Sequence, residues 1–161
     1  MNMDIRKMTV DDIPAVVELD RISFSLPWPE RSFRFEVTEN IASRCWVAEV
    51  DQRVAGMAVA WLLVDEAHIA TIATHPDFRR QGIARKLLTH TLLHAMDEGV
   101  SSSFLEVRES NLSAQEMYRQ FGYEVTGRRK RYYKDNDEDA ILMNLGSLRR
   151  DHLLKDVMSK E

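Results

Sequence analysis

The stretch HPDFRRQGIARKLL, residues 75–88, gathers several arginines around one glycine where an apolar strand gives way to an amphipathic helix. No Ser, Thr, Asp or Asn stands between Phe78 and Ile83 to cap that helix. The chemistry that suits such uncapped N–H groups is anion binding. The helix start is the positive end of the macrodipole, Gly82 lets a ligand approach the backbone closely, and Arg79, Arg80 and Arg85 add charge. Both familiar nucleotide motifs fail, because a Walker loop needs GxxxxGK with Ser or Thr and a dinucleotide fingerprint needs three glycines. An ordinary helix start with exposed arginines is the plain alternative, and the stretch by itself does not decide between them.

Two further residues have side chains that handle protons. Glu106, in FLEV, shares a strand face with Phe104, where a carboxylate is either edge-exposed or functional. Tyr118 falls on the apolar face of a helix, as a core aromatic or as a phenolic proton donor. His90 and His94 are one helical turn apart, but Thr91 stands where HExxH needs glutamate and no third ligand is evident. They are expected to be surface histidines, with no metal. There is no GxSxG elbow. The one cysteine, Cys45 beside Trp46, excludes a disulfide framework and a cysteine-rich zinc site, and is expected to be a small core residue.

The elements that must position these groups follow from periodicity. A strand over Ile5–Met8 leads to Thr9 and Asp12, spaced as a capping box, and a first helix that ends before Pro27. Pro29 suits the first turn of a second helix, with Phe33, Val37 and Ile41 on one face. CWVAEV (45–50) and VAGMAVAWLLV (54–64) read as a hairpin about Asp51-Gln52-Arg53, and HIATIAT (68–74) as a third strand closed by His75-Pro76. Ile83, Ala84, Leu87, Leu88, Leu92 and Met96 line one face of a central helix up to Gly99. Then come a strand at 102–107, a helix from about Leu112 to Gly122, and strands at 123–133 and 140–145 joined by DNDED (135–139).

With 161 residues and 44% hydrophobic content the chain is expected to be one domain, 1–146, with a tail at 147–161 whose Leu148–Met158 portion has helical spacing. No run is long and apolar enough for a bilayer span, the N-terminus lacks a signal peptide's apolar stretch, and a cytoplasmic protein is expected. A net charge of −4 argues against a general nucleic-acid binder, although Arg128-Arg129-Lys130-Arg131 is locally basic.

RRQGIA matches the Q/RxxGxG/A signature of the GNAT superfamily of acyl-CoA-dependent N-acyltransferases, which the order of elements also resembles. LPWPERSF (26–33), IATHPDFRRQGIARKLL (72–88), FLEVRESNLSAQEMYRQFGY (104–123) and RRKRYYKDNDEDAILM (128–143) together resemble the RimI-type ribosomal-protein-alanine N-acetyltransferases, over roughly Ile5 to Leu145. The resemblance implies the α/β (α+β) GNAT fold: a mixed, mostly antiparallel sheet of about seven strands with about four helices.

It also implies acetyl-CoA as co-substrate, without a metal. The loop matching Arg80, Gln81, Gly82, Ile83, Ala84 and Arg85, with Arg79 beside it, would hold the pyrophosphate. Ile72, Ala73 and Thr74 would pair with pantetheine, and Asn111 would touch coenzyme A. Ala84 replaces a glycine common in the family and is an accepted variant. Glu106 would be the proton acceptor, acting through water, and Tyr118 the proton donor to the departing thiolate. Leu26, Pro27, Trp28, Tyr132 and Tyr133 would contact the acceptor. An α-amino group with pKa near 7.7–8.0 is roughly 10–20% neutral at pH 7, so a modest base suffices. The implied reaction is direct transfer, in a ternary complex, to the N-terminus of a protein, a ribosomal protein beginning with alanine. Neither nucleic acid nor membrane is an expected partner, and a monomer or weak dimer is expected. The alternatives are a GNAT enzyme for a small amine or lysine side chain, and a noncatalytic acyl-CoA-binding protein.

Overall fold

Asp51 and Gln52 both adopt positive φ, 48° and 67°, the mirror-image turn whose twist suits a two-residue hairpin. They join β2 (Ser43–Val50) to β3 (Arg53–Leu63), as the sequence predicts. The computed structural model describes residues 2–158; Met1 and residues 159–161 of the tail lie outside it. The remaining strands are β1 (Met3–Lys7), β4 (Glu66–Thr74), β5 (Ser102–Arg108), β6 (Glu124–Tyr133) and β7 (Glu138–Leu145). The helices are α1 (Ile13–Ser23), α2 (Glu30–Thr38), α3 (Ile83–Asp97), α4 (Leu112–Phe121) and α5 (Arg150–Met158). The strands form one sheet in the order β1-β2-β3-β4-β5-β7-β6. All neighbours are antiparallel except β4 and β5. This is the mixed, mostly antiparallel architecture expected from the sequence.

Each face of the sheet buries its own apolar cluster. On one, Ile13, Val16, Leu19 and Phe33 of α1 and α2 meet Val47, Met57 and Val59. On the other, Leu88 and Leu92 of α3, Phe121 of α4 and Leu153 of α5 meet Ala60, Ile69, Leu105 and Met143. The tail therefore contributes to the core: Leu148 and Leu153 are buried in the same cluster as α3.

One irregularity shapes the middle of the sheet. Val59 pairs with Thr71 and the next residue, Ala60, with Ile69, so Ala70 is the extra residue of a β-bulge in β4. The bulge switches the alternation: Ala67 and Ile69 point to the α3 side, whereas Ala73 packs into the cluster of α1 and α2. Pairing of β4 with β5 ends at the same place, at Ile69↔Leu105, although both strands continue. Beyond that pair β5 stays bonded to β7 as far as Arg108↔Ala140, so a gap opens between the ends of β4 and β5.

Two expectations are corrected. Ile41 is not on the α2 face; the helix ends at Thr38 and Ile41 is 93% exposed. Asn40 stops it, donating to Glu36 Oε2 at 2.7 Å and accepting from the Ala42 N–H at 3.1 Å, local bonds that compete with another helical turn. His90 is not a surface residue: it is half-buried, its ring 4.4 Å from Trp46, and burial pushes its pKa down to about 4. Cys45, by contrast, does pack against the core cluster of α1 and α2, partly buried, with its thiol against Ser43 Oγ at 3.2 Å. Among the described residues no helix is long and apolar enough to cross a membrane.

Gly56 sets how close α3 sits to the sheet. A Cβ there would lie 2.9 Å from Ile83 Cγ2, 3.0 Å from Leu87 Cδ1 and 3.1 Å from the Ala73 carbonyl oxygen. Gly56→Ala is therefore expected to push the start of α3 outward and to cost about 1–3 kcal/mol in urea unfolding. Wild-type stability in that variant would show that α3 does not depend on this close approach.

Candidate active site

The start of α3 is left open to solvent, as the sequence predicts. Gly82 takes the N-cap position with φ 74° and no side-chain cap bond forms; Arg80 before it is also left-handed, φ 65°. The first helical bond runs from the Lys86 N–H to the Gly82 carbonyl at 3.1 Å. The N–H groups of Ile83, Ala84 and Arg85 precede it at the positive helix end. The side chains go elsewhere. Ile83 is buried in the core, Arg80 and Gln81 are exposed, and the Arg85 guanidinium bonds Gln120 and lies 5.3 Å over the Phe121 ring. Only Arg79 and Ala84 of this loop line the adjoining cleft.

That cleft, about 760 Å³, runs through the gap between β4 and β5. Ile72, Ala73 and Thr74 form one wall, and Thr74 Oγ1 is buried there with no hydrogen-bond partner among the described residues. Asn111 lines the cleft and caps α4, its Oδ1 accepting from the Ala114 N–H at 3.2 Å.

Glu106 and Tyr118 enter the cleft from different elements. On β5 the residues Ser103, Leu105 and Val107 are buried while Phe104, Glu106 and Arg108 are partly exposed on the other face. His68 Nε2 lies 2.6 Å from Glu106 Oε2. This bond holds the Glu106 carboxyl below its usual range, outweighing the opposing effect of burial, and Arg129 adds to the lowering. An ionised carboxylate only accepts, so His68 Nε2 carries the shared proton. The His68 ring stacks on Phe104 at 4.5 Å and meets the edge of Trp61 at 5.2 Å. Trp61 in turn donates to Glu36 Oε1 at 2.6 Å and stacks with Trp28. Tyr118 is buried on α4 against Tyr123, and burial pushes its phenol above the usual tyrosine range.

Of the residues expected to contact an acceptor, Leu26, Trp28 and Tyr133 line the cleft. Pro27 and Tyr132 do not; Tyr132 is exposed beneath Arg129 and edge-on to Tyr133. A bulge between Arg129 and Tyr133, with Arg131 at φ 54°, separates the orientations of the two tyrosines. The sequence reading missed His68, Asp20 and Arg108, which the structure brings to the same region. An ionisable residue inside the apolar run HIATIAT was the signal for His68. Asp20, on the buried side of α1, accepts from the Trp28 N–H at 2.7 Å, and burial raises its carboxyl. No cluster of three metal-ligating side chains exists among the described residues. The arrangement can accept a proton at Glu106, supply one at Tyr118 and hold an anion at the α3 start.

Residues 13–123 match the model of the acetyltransferase (GNAT) family. A Bacillus subtilis (strain 168) protein, provisionally named ribosomal protein bS18-alanine N-acetyltransferase, is 37% identical over 139 residues, 86% of this chain and 92% of its own. The Escherichia coli (strain K12) ribosomal protein bS18-alanine N-acetyltransferase is 33% identical over 145 residues, 88% of this chain and 95% of its own. The crystal structure of the Escherichia coli ribosomal-protein-S18-alanine N-acetyltransferase superposes with a TM-score of 0.83 at 31% identity, covering 92% of this chain and 96% of that one.

The His68 bond makes a test of Glu106. In the wild type the depressed carboxyl adds stability above the unfolded value, near pH 4.3, that is lost as pH falls through the lower folded pKa. In His68→Phe the largest lowering influence is lost while burial stays, opposed only by the smaller effects of Arg129 and a backbone N–H, so Glu106 is expected to titrate at higher pH than in the wild type, read by carboxyl-carbon NMR. An unmoved titration would mean the bond does not set its charge.

Proposed function

Because the chain belongs to the acetyltransferase (GNAT) family, we propose that it is an acetyl-CoA-dependent N-α-acetyltransferase of protein N-termini, with the N-terminal alanine of a bS18-type ribosomal protein as acceptor. The observation that carries this reading is that Glu106 and Tyr118 line one cleft, which the open start of α3 adjoins. The two enzyme relatives named for bS18-alanine acetylation support the acceptor assignment, since each is matched over more than nine-tenths of its length.

The residues present fit acetyl-CoA. Uncapped N–H groups after Gly82, with Arg79 on the cleft wall, suit a pyrophosphate. The β4 edge from Ile72 to Thr74, which has no strand partner on the β5 side, suits the amides of pantetheine. When bound, acetyl-CoA supplies an activated acetyl thioester. Glu106, held ionised by His68, takes a proton from the acceptor's α-amine through water. Tyr118 keeps its proton throughout the neutral range because burial raises its pKa. Burial also makes it a weaker acid, so it delivers that proton only as the sulfur leaves within the same dry environment, where a thiolate is more basic too. Leu26, Trp28 and Tyr133 flank the acceptor.

Glu106→Gln is expected to lower peptide acetylation at neutral pH by roughly 10²-fold or more while acetyl-CoA affinity is kept, and Tyr118→Phe to slow transfer similarly. Peptides differing in their first residues, incubated with acetyl-CoA and fragmented in a mass spectrometer, should carry the acetyl group on the α-nitrogen. Normal turnover by Glu106→Gln would remove the base assignment, and labelling confined to lysine would overturn the N-terminal one.

A further inference from the structure

Arg108 lies two residues beyond Glu106 on the same partly exposed face of β5, about 7 Å farther along the strand. It lines the cleft, and its donors are spent on two segments far apart in sequence. One terminal nitrogen donates to both Asp135 oxygens at 3.1 Å and to Ser25 Oγ at 3.2 Å. The other donates to Glu138 Oε1 at 3.2 Å and Asn136 Oδ1 at 3.3 Å. The guanidinium also lies 4.0 Å from the centre of the Tyr133 ring. Ser25 belongs to the α1–α2 loop and Asp135 to the β6–β7 turn, and the Ser25 hydroxyl bonds Asp135 directly across 110 residues of chain. The loop supplies Leu26 and Trp28 to the cleft, and Tyr133, the last residue of β6 before the turn, lines it too.

We propose that Arg108 is a positioning residue for the acceptor: it clasps the α1–α2 loop to the β6–β7 turn and so holds the two sides of the acceptor groove at a fixed separation. This rests on the acceptor site read above. Three features give the clasp its strength. Arg108 is the cation between Asp135 and Glu138, and without it two carboxylates face one another at the groove's rim. Its planar fork reaches Asp135, Glu138 and Ser25 at once and still stacks on Tyr133, which the single ammonium of lysine cannot do. Glu138 is itself anchored, its other oxygen accepting from the Ser110 N–H at 2.6 Å beside the start of α4. A groove whose walls are already in place spares the acceptor the cost of ordering them.

The experiment compares wild type with Arg108→Gln, Asp135→Asn and Arg108→Lys, using a short alanine-initiated peptide, acetyl-CoA calorimetry and amide hydrogen exchange. Arg108→Gln and Asp135→Asn are expected to raise the peptide KM about tenfold, about 1.4 kcal/mol, with the acetyl-CoA dissociation constant held within about twofold. Their exchange should quicken together at residues 23–29 and 133–138. Combining the two changes should add little to either, since both break one clasp; Arg108→Lys should recover only part of the loss. An unchanged peptide KM, or equal weakening toward both substrates, would overturn the proposal. If wild type acetylates no peptide, the acceptor reading fails instead, and exchange still judges the clasp: unaltered protection in Arg108→Gln rules it out.

Discussion

Parallel pairing between β4 and β5 lasts from Glu66↔Ser102 to Ile69↔Leu105 and then stops, in the middle of a sheet that is otherwise bonded from edge to edge. The bulge at Ala70 coincides with this break and re-aims β4. Most of the site depends on that interruption. It gives β4 an edge with unspent backbone groups deep inside the fold, where a sheet ordinarily satisfies them. It leaves Glu106 beside open space instead of beneath a neighbouring strand, and it lets α3 begin next to a cleft. Gly56, under the first turns of α3, keeps that helix close enough for its start to belong to the site.

The two proton-handling groups show how local partners set chemistry. Both are removed from water, which favours the neutral form of each. At Glu106 the 2.6 Å bond from His68 outweighs burial, and the carboxyl stays below its ordinary range. At Tyr118 no such bond opposes burial, and the phenol rises. Burial and local partners thus push the two groups in opposite directions, the separation that the proposed acid and base roles require. The aromatic row Trp28, Trp61 and His68 links Glu106 to the α1–α2 loop, and the buried Glu36 fixes Trp61 within it.

Features whose signal is local were legible in the sequence. The hairpin at Asp51-Gln52, the uncapped α3 start, the burial of Tyr118 and the half-open position of Glu106 all follow from spacing and residue type. What escaped depends on register or distant contacts. HIATIAT has adjacent apolar residues at both Ile69-Ala70 and Ile72-Ala73, so its pattern does not single out Ala70 as the extra residue; the bulge exists only relative to β3. Ile41 continued a four-residue spacing that Asn40 had already ended. His90 looked like a polar residue on a helix surface because Trp46, against which it is buried, comes from β2. Arg108 gave no sign of its role, since its partners stand at positions 25 and 135 to 138.

An opening that passes through a sheet has two mouths. The α3 start, Asn111 and Tyr118 stand at one, on the side covered by α3 and α4, while Leu26 and Trp28 stand at the other, on the side of α1 and α2. Under the proposed reading the two substrates meet tip to tip from opposite directions, and neither occupies the other's route. The bulk of a folded acceptor can remain wholly outside, with only its chain end admitted. On that reading the size of the acceptor beyond its first residues does not enter the fit, because only an extended chain end has to pass the mouth between Leu26 and Trp28.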